Sequence, residues 1–345
     1  MIGASLGLET TNGWSEKLHL LRCLECRERL ELAELRDGIS SLGPDGVLRC
    51  RMCAAEYPIS GGTPRMLVSP MGDEEGGVKT RTGESFAYEW EHFGALRTQW
   101  RENFRGYVQP HQPDWFDGRL VLDVGTGSGR HSYEAASLGA QLVAVDIGRS
   151  IDVARQNLPP SALTVQADAE LLPFDPGTFD LVMSIGVLHH LPDPERAFRS
   201  IVRFAKPGGY VQIYVYWLPA RPSHRRILEA VTAARRLTTR LPYRLLHALC
   251  YPLSVGLFAT CVLPYKGLRR FRHLRRIADA FPLKTYADYP FRVCVNDQFD
   301  RFSAPIERRY TAEQVRQWFV SAGLEDVEIR PHHGWVASGR IPGQA

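Results

Sequence analysis

From Arg119 onward, short apolar runs alternate with mixed segments, and the chain reads as strand and helix by turns. "RLVLDV" (119–124) is a buried strand, and "SGRHSYEAASLG" (128–139) a short helix ended by Gly139. "AQLVAVD" (140–146), "ALTVQAD" (162–168) and "FDLVMSIG" (179–186) are three further strands. "DPERAFRSIVRFA" (193–205) is a helix with Asp193 as its cap and Pro194 at its first position. "GGYVQIYVYW" (208–217) is a fifth strand. The pattern stops between Leu218 and Arg309. It resumes with "TAEQVRQWFVSAG", a helix capped by Thr311 and followed by Gly323, and two last strands, "LEDVEIR" and "GWVASGR". Strands alternating with helices predict an α/β fold, a parallel sheet with helices on both faces.

The pattern ahead of Arg119 is different. Residues 1–20 read as a loose leader, 21–68 as a small cysteine-bearing module, and 69–85 as a linker rich in glycine and acid. "SFAYEWEHFGALRTQWRENFRGYV" then suits one or two amphipathic helices, and a larger domain runs over 86–345. Inside that domain the insert 218–309 holds a long apolar run, "LLHALCYPLSVGLFATCVLP" (245–264). Its length raises the question of a membrane span. Pro252 near its middle and basic residues on both flanks fit an interfacial element better. The preferred reading is a buried helical hairpin, with peripheral membrane contact through 245–264 left open.

Charge sharpens the picture of the insert. The chain has 345 residues and a net charge of +4, but Arg221 to Arg276 holds thirteen Lys or Arg and a single acid, Glu229. Such a block attracts a polyanion, a phosphorylated substrate or an anionic membrane, or simply forms a solvated face. The first twenty residues lack a basic start followed by an apolar run, so a cytoplasmic protein is expected, with membrane association open. Seven cysteines, four of them in Cys-x2-Cys pairs, point to a metal rather than disulfides.

"VLDVGTGSGR" (121–130) joins the first strand to a helix. Gly125, Gly127 and Gly129 let the backbone turn sharply and approach a ligand. No Lys-Ser or Lys-Thr follows, which excludes a P-loop. Asp146 ends the second strand, where a carboxylate takes ribose hydroxyls. Asp168 ends the third, placed to accept from an adenine amino group. With "DAELLPFDPGTFDLV", "SIGVLHHLPDPERAF" and "KPGGY", this series resembles the class I S-adenosylmethionine-dependent methyltransferases over about 86–340. The resemblance implies a Rossmann-like seven-stranded sheet ending in an antiparallel hairpin, and S-adenosyl-L-methionine as cofactor. Carried over, Asp123 and the three glycines face the methionine part, Asp146 and Ile147 the ribose, and Asp168 and Ala169 the adenine. Ser184, also carried over as cofactor-binding, opens the segment lining the transfer site. Tyr88 and Trp90 match the aromatic segment that closes over the cofactor in relatives.

Methyl transfer from a sulfonium is an in-line displacement that rewards alignment. A hydroxyl or acidic-carbon acceptor also needs a base. His189 and His190, just past the fourth strand, are the candidates, with packing or capping as the alternative role. Asn296, Asp297 and Asp300 are polar candidates ahead of the last helix, and "PHHGW" (331–335) reads as a surface turn. The preferred acceptor is a small molecule, acidic, phosphorylated or lipid-like, in natural-product or glycan biosynthesis, recognised by the insert as a helical cap. An RNA methyltransferase stays open, because one ribosomal-RNA guanine methyltransferase family also places a zinc module first. The chain lacks that class's Asn/Asp-Pro-Pro-Tyr type motif. A non-catalytic scaffold is the third reading. No stable protein partner is implied.

Cys23, Cys26, Cys50 and Cys53 form two Cys-x2-Cys pairs, a donor set for tetrahedral zinc, with iron as the alternative. "EYPISGGTPRML" after the second pair resembles the small zinc-ribbon proteins that partner and activate methyltransferases. Thr63 departs from the branched apolar residue usual there. Four ligands close the site, so the Zn2+ is expected to be structural. Cys250, Cys261 and Cys294 are read as apolar fillers.

Overall fold

The computed structural model describes residues 13–36, 42–67, 74–279, 281 and 283–343. The chain divides into two units, one formed by Met1–Trp90, Gly94–Leu218 and Ile306–Ala345, the other by Glu91–Phe93 and Pro219–Pro305.

The first unit begins with four short antiparallel strands, β1 (Leu30–Arg36), β2 (Asp45–Cys50), β3 (Glu56–Ser60) and β4 (Thr63–Met66). Helices α1 (Glu74–Phe93) and α2 (Gln99–Tyr107) follow. Then come β5 (Leu120–Val124), α3 (Arg130–Ser137), β6 (Gln141–Asp146), α4 (Ser150–Asn157), β7 (Leu163–Ala167), β8 (Phe179–Ile185), α5 (Pro194–Val202) and β9 (Ala205–Val215). The unit closes with α11 (Ala312–Ser321), β10 (Glu325–Pro331) and β11 (Trp335–Arg340). Strands β5 to β9 are parallel, and β11 and β10 complete the far edge antiparallel. The order β7-β6-β5-β8-β9-β11-β10 is the seven-stranded sheet expected. The strands are buried on both faces, as the near-continuous apolar runs require. Two caps form as read: Asp193 accepts from the Arg196 amide, and Thr311 and Gln314 make a capping box.

The sheet does not stop at β7. Strand β4 pairs parallel to it, Arg65 opposite Gln166 and Met66 opposite Ala167, giving eleven strands among the described residues. The cysteine module therefore covers what would be an open edge. Its Leu21, Leu48, Tyr57 and Met66 join the same core as Leu163, Val165 and Phe174. Thr63 and Thr164 are fully buried with hydroxyls 2.8 Å apart, so the departure at Thr63 has a partner on β7.

Two segments differ from expectation. Of the leader over 1–20, residues 1–12 lie outside the described residues. Ser15–Leu20 forms a 3-10 turn, and Trp14 is buried in the core. Of the linker over 69–85, residues 69–73 lie outside, and the rest is the first half of α1. That half is helical because tertiary contacts hold it: Lys79 and Ser85 are buried, and Gly83 packs on Gly148.

The second unit is helical: α6 (Pro222–Thr238), α7 (Tyr243–Leu257), α8 (Leu263–Leu268), α9 (Arg275–Ala278) and α10 (Phe291–Ser303). A π turn, Phe258–Val262, joins α7 to α8 in one continuous helix, Tyr243–Leu268. The expected buried hairpin is thus replaced by a single helix with only 22% of its most apolar window buried. Pro252 sits inside it without ending it. A proline removes one backbone hydrogen bond, and a π turn absorbs a local change of register. Cys250 and Cys294 are buried, as fillers should be.

The Thr63–Thr164 pair is testable. Thr63→Val alone strands a buried hydroxyl and should lower stability by about 1–3 kcal/mol. Adding Thr164→Val should recover most of the loss, read as denaturation midpoints of the two variants.

Candidate active site and cysteine centre

The order of parallel strands reverses at β5, whose neighbours are β6 and β8. A crevice opens at the carboxyl ends of strands at such a switch point. Here the loop after β5 begins with Gly125 and Thr126, whose amides both donate to the Val145 carbonyl on β6. Gly125, Gly127 and Gly129 all have positive φ, at 79°, 57° and 78°. A side chain at Gly125 would strike Val187 from the loop after β8, and one at Gly127 would strike the Trp90 ring. The two loops and α1 meet at these glycines.

Three carboxylates stand at the ends of adjacent strands. Asp123 is almost wholly buried and accepts from the Ser132 hydroxyl at 2.6 Å. Burial raises its carboxyl to about 6, only partly offset by hydrogen bonds from Ser132 and Thr126. Asp146 accepts from the amides of Gly127 and Gly148, each at 2.9 Å, and from Ser150 at 2.7 Å. Burial pushes its carboxyl up, and those donors oppose the push. Asp168 accepts from the Glu170 amide at 2.9 Å and from the Lys79 ammonium at 2.8 Å.

Lys79 is the residue that the sequence reading missed. It is 3% exposed, and it also lies 3.2 Å from Glu170. Burial alone would lower its ammonium; the bond to Asp168 and the charges of Asp168 and Glu170 outweigh burial and raise it. Along α1, Lys79 meets the loop after β7, Gly83 meets Ile147 and Gly148 after β6, and Trp90 meets Gly127 after β5. One helix thus touches the three loops in turn. Tyr88 lies between the last two contacts, half-buried. Arg130, also unforeseen, places its guanidinium 5.0 Å from both the Trp90 and Trp100 rings. Ala169 packs on the core beside Asp168. Ser184 differs from expectation: it is fully buried, and its hydroxyl is spent on the Val124 carbonyl, bracing β8 to β5.

His189 and His190 form a 3-10 turn after β8. Both are buried but are held differently. Neither ring nitrogen of His189 has a hydrogen-bond partner among the described residues, and burial, helped by His190 and Arg309, drives its pKa well down. His190 Nδ1 lies 2.7 Å from the Ile306 carbonyl. A carbonyl only accepts, so Nδ1 carries a proton, and in the neutral ring the lone pair then sits on Nε2. The Phe86 ring meets the His190 ring edge-on at 4.9 Å.

Asn296, Asp297 and Asp300 fall on α10 in the other unit, where Asp297 accepts from the Tyr286 hydroxyl at 2.6 Å. His332 is half-buried, not mere surface: its ring packs on Tyr107, and a side chain at Gly106 would strike it.

The four cysteine sulfurs lie within 4.8 Å of one another. Cys23–Cys53, Cys26–Cys50 and Cys26–Cys53 are 3.5, 3.3 and 3.6 Å apart, three of the six edges of a small four-sulfur cluster. Two like turns build it. Arg27 and Ala54, each just after a second cysteine, have φ of 65° and 58°. Their amides donate to the carbonyls of Cys23 and Cys50. For Cys23, burial raises the thiol, but hydrogen bonds from Tyr57 and the amides of Cys26 and Glu25 prevail and draw it to about 6. Cys50 is drawn down too, chiefly by the Cys53 amide, whereas at Cys26 and Cys53 the backbone amides are outweighed by the neighbouring sulfurs, which hold the thiols up. Four sulfurs competing for protons at this spacing are a donor set that a metal cation would relieve.

A glycine-loop crevice at the switch point of a seven-stranded sheet, edged by strand-end carboxylates, defines a nucleotide-cofactor enzyme of the α/β class. The methyltransferase-domain family model matches residues 122–213, from β5 to β9. A ubiquinone biosynthesis O-methyltransferase of Pseudomonas paraeruginosa is 32% identical over 166 residues, 44% of this chain and 70% of its own. Its counterpart in Bordetella bronchiseptica is 30% identical over 171 residues, 45% and 69% of the two chains. Among solved structures, Haemonchus contortus phosphoethanolamine N-methyltransferase 2 in complex with S-adenosyl-L-methionine overlaps with TM-score 0.44 and 16% identity, covering 96% of this chain and 73% of that one. This chain belongs to the class I S-adenosylmethionine-dependent methyltransferases.

Asp123 supplies a test. Its ordinary value is 3.8 and its folded value about 6, so between those pH values the unfolded state holds fewer protons. Stability contributed by the group therefore falls as pH rises through that window and stays low above it. Asp123→Asn removes the penalty. At pH 7 the variant free of cofactor should melt no lower than the parent, while its affinity for S-adenosylmethionine falls at least tenfold by calorimetry. A lower melting point with intact binding would make Asp123 a structural group.

Proposed function

We propose that the chain methylates a hydroxyl oxygen of a small-molecule acceptor that carries an acidic, phosphorylated or lipid-like part. The observation that carries this reading is His190: its tautomer is set by Ile306, its Nε2 holds a lone pair, and it lies just beyond β8. That is the arrangement a general base needs. The Pseudomonas and Bordetella relatives named above are O-methyltransferases, which agrees with a hydroxyl acceptor.

The cofactor supplies an electrophilic methyl group on a sulfonium. The residues fit it by charge and shape. A buried carboxylate with a raised pKa, as at Asp123, gains from a cation, and the amino group of the methionine part provides one. Asp146 with Ile147 would take the ribose, and Asp168 with Ala169 the adenine amino group. Lys79 holds the Asp168 carboxylate in place. The glycine loop gives backbone access, and Tyr88 and Trp90 on α1 exclude water. His190 would receive the acceptor's proton at Nε2 as the acceptor oxygen takes the methyl carbon, whose bond to the sulfonium sulfur breaks and leaves a neutral thioether. His189, neutral and unoriented, serves as packing against the Tyr216 ring, 4.0 Å away. The insert 218–309 recognises the acceptor. Its exposed leucines among arginines suit a lipid-like acceptor met at a membrane better than RNA, whose recognition favours aromatic stacking.

The cysteine centre holds structural zinc. It acts within the chain, in place of a separate ribbon partner.

The base is tested by His190→Gln. With a catechol-type panel screened by mass detection, kcat should fall about 100-fold or more, with cofactor affinity unchanged. His189→Gln should change kcat little. The reverse result would move the base to His189. Zinc is tested by elemental analysis of the purified chain. One zinc per chain is expected, and Cys26→Ser with Cys53→Ser should lose both metal and solubility. Iron in its place, or no metal in a folded chain, would refute the assignment.

A further inference from the structure

The helix Tyr243–Leu268 turns a narrow stripe inward and a broad apolar face outward. Leu246, Cys250, Ser254 and Val262 are buried. Leu245, Leu249, Leu253 and Leu263, each next in sequence to one of these, run alongside the stripe about a quarter-turn away, each 39% exposed or more. No Asp, Glu, Lys or Arg stands between Arg244 and Lys266. A monomer in water rarely leaves such a continuous face uncovered.

At the C-terminal end of this helix lies an open concavity of about 580 Å³ lined by Tyr265, Arg269, Arg270, Arg275, Ala278 and Asp279. Its one carboxylate, Asp279, is paired with Lys284 at 3.5 Å. Arg269 is fixed by Asp288 at 3.1 Å and lies over the Tyr265 ring. The guanidinium groups of Arg270 and Arg275 have no partner among the described residues, so the cavity carries uncompensated positive charge.

We infer that this unit docks on an anionic phospholipid bilayer, with the Leu245–Leu263 face in the headgroup boundary and a lipid phosphate in the arginine cavity. An apolar face with cations at its margins is the pattern of an interfacial helix. Crossing the bilayer is ruled out by packing. The buried stripe rests on α10, which carries Arg292, Asp297, Asp300 and Arg301 and cannot enter hydrocarbon. A second copy of the chain is a poor cover, because it would bring two blocks of thirteen cations and one acid together. A guanidinium pair in a concavity matches the bidentate geometry of a phosphate. The docking deepens the acceptor reading, and rests on it only for the acceptor's lipid-like part.

The test is flotation of the full chain with phosphatidylcholine vesicles, with and without phosphatidylglycerol. The chain should float with the anionic vesicles and stay behind with the neutral ones. Arg270→Ala with Arg275→Ala should weaken vesicle affinity about tenfold. Leu249→Asp with Leu253→Asp should abolish flotation. Calorimetric binding of S-adenosylmethionine is measured on each variant. Unchanged binding shows that the variant is folded, and it reads the methyltransferase assignment separately from docking. Equal flotation on both vesicle types, an arginine variant that matches the parent, or a concentration-dependent dimer that leaves vesicles unbound would each overturn the inference.

Discussion

The edge of strand β7 is where the rest of the structure is tied together. In an open parallel sheet that edge presents unpaired amides and carbonyls, and β7 also ends at Asp168. Here β4 covers it, and the cysteine turn grips the far side of the same loop. Arg22 donates its amide to the Pro173 carbonyl and pairs with Asp175 at 2.5 Å. Arg27, held at positive φ by the turn, sends its guanidinium to the carbonyls of Leu172 and Phe174. The loop from Asp168 to Asp175 is therefore clamped between the two ends of one small module. The geometry of the cysteine turn reaches the cofactor crevice through two arginines and one strand pair.

The crevice itself is built against stability. Asp123 and Asp146 are buried with carboxyls pushed upward, and each is met by hydrogen bonds too few or too weak to cancel burial. Such groups are costly in an empty fold and useful when a ligand brings the missing charge and donors. Asp168 is the exception, because Lys79 neutralises it from α1. The same lysine therefore ties a helix to the crevice and orients an acceptor group within it.

The parallel strands β5 to β9 were legible as apolar runs, since strands buried on both faces leave few polar positions to confuse; β10, EDVEIRP at the exposed edge, was legible only as the partner of β11 in a final hairpin. Both caps and all four cysteines were legible for a similar reason, each being a local rule obeyed locally. What escaped notice depends on distant partners. The first half of α1 has paired glycines and mixed charge, and its helicity follows from Lys79 meeting Asp168, 89 residues away. Helix α4 was hidden by Arg155, a charge at a buried position whose guanidinium donates to the Ala162 carbonyl at 3.0 Å. Ser184 misled in the opposite sense, since a family position said cofactor while its hydroxyl braces two strands.

The insert shows the limit of composition as a guide to burial. A run as apolar as 245–264 normally folds inward, and a hairpin would have hidden it. A hairpin, however, needs a second apolar face to pack on, and the neighbouring helix α10 offers only one such stripe because its other faces carry Arg292, Asp297, Asp300 and Arg301. Only Leu246, Cys250, Ser254 and Val262 find cover there. The surplus apolar surface is not a packing failure, because arginines at both ends of the run would be a liability against a protein core and an advantage against anionic headgroups. Burial in this unit is limited by the polar surface of its partner helix, and the exposed leucines are what that limit leaves over.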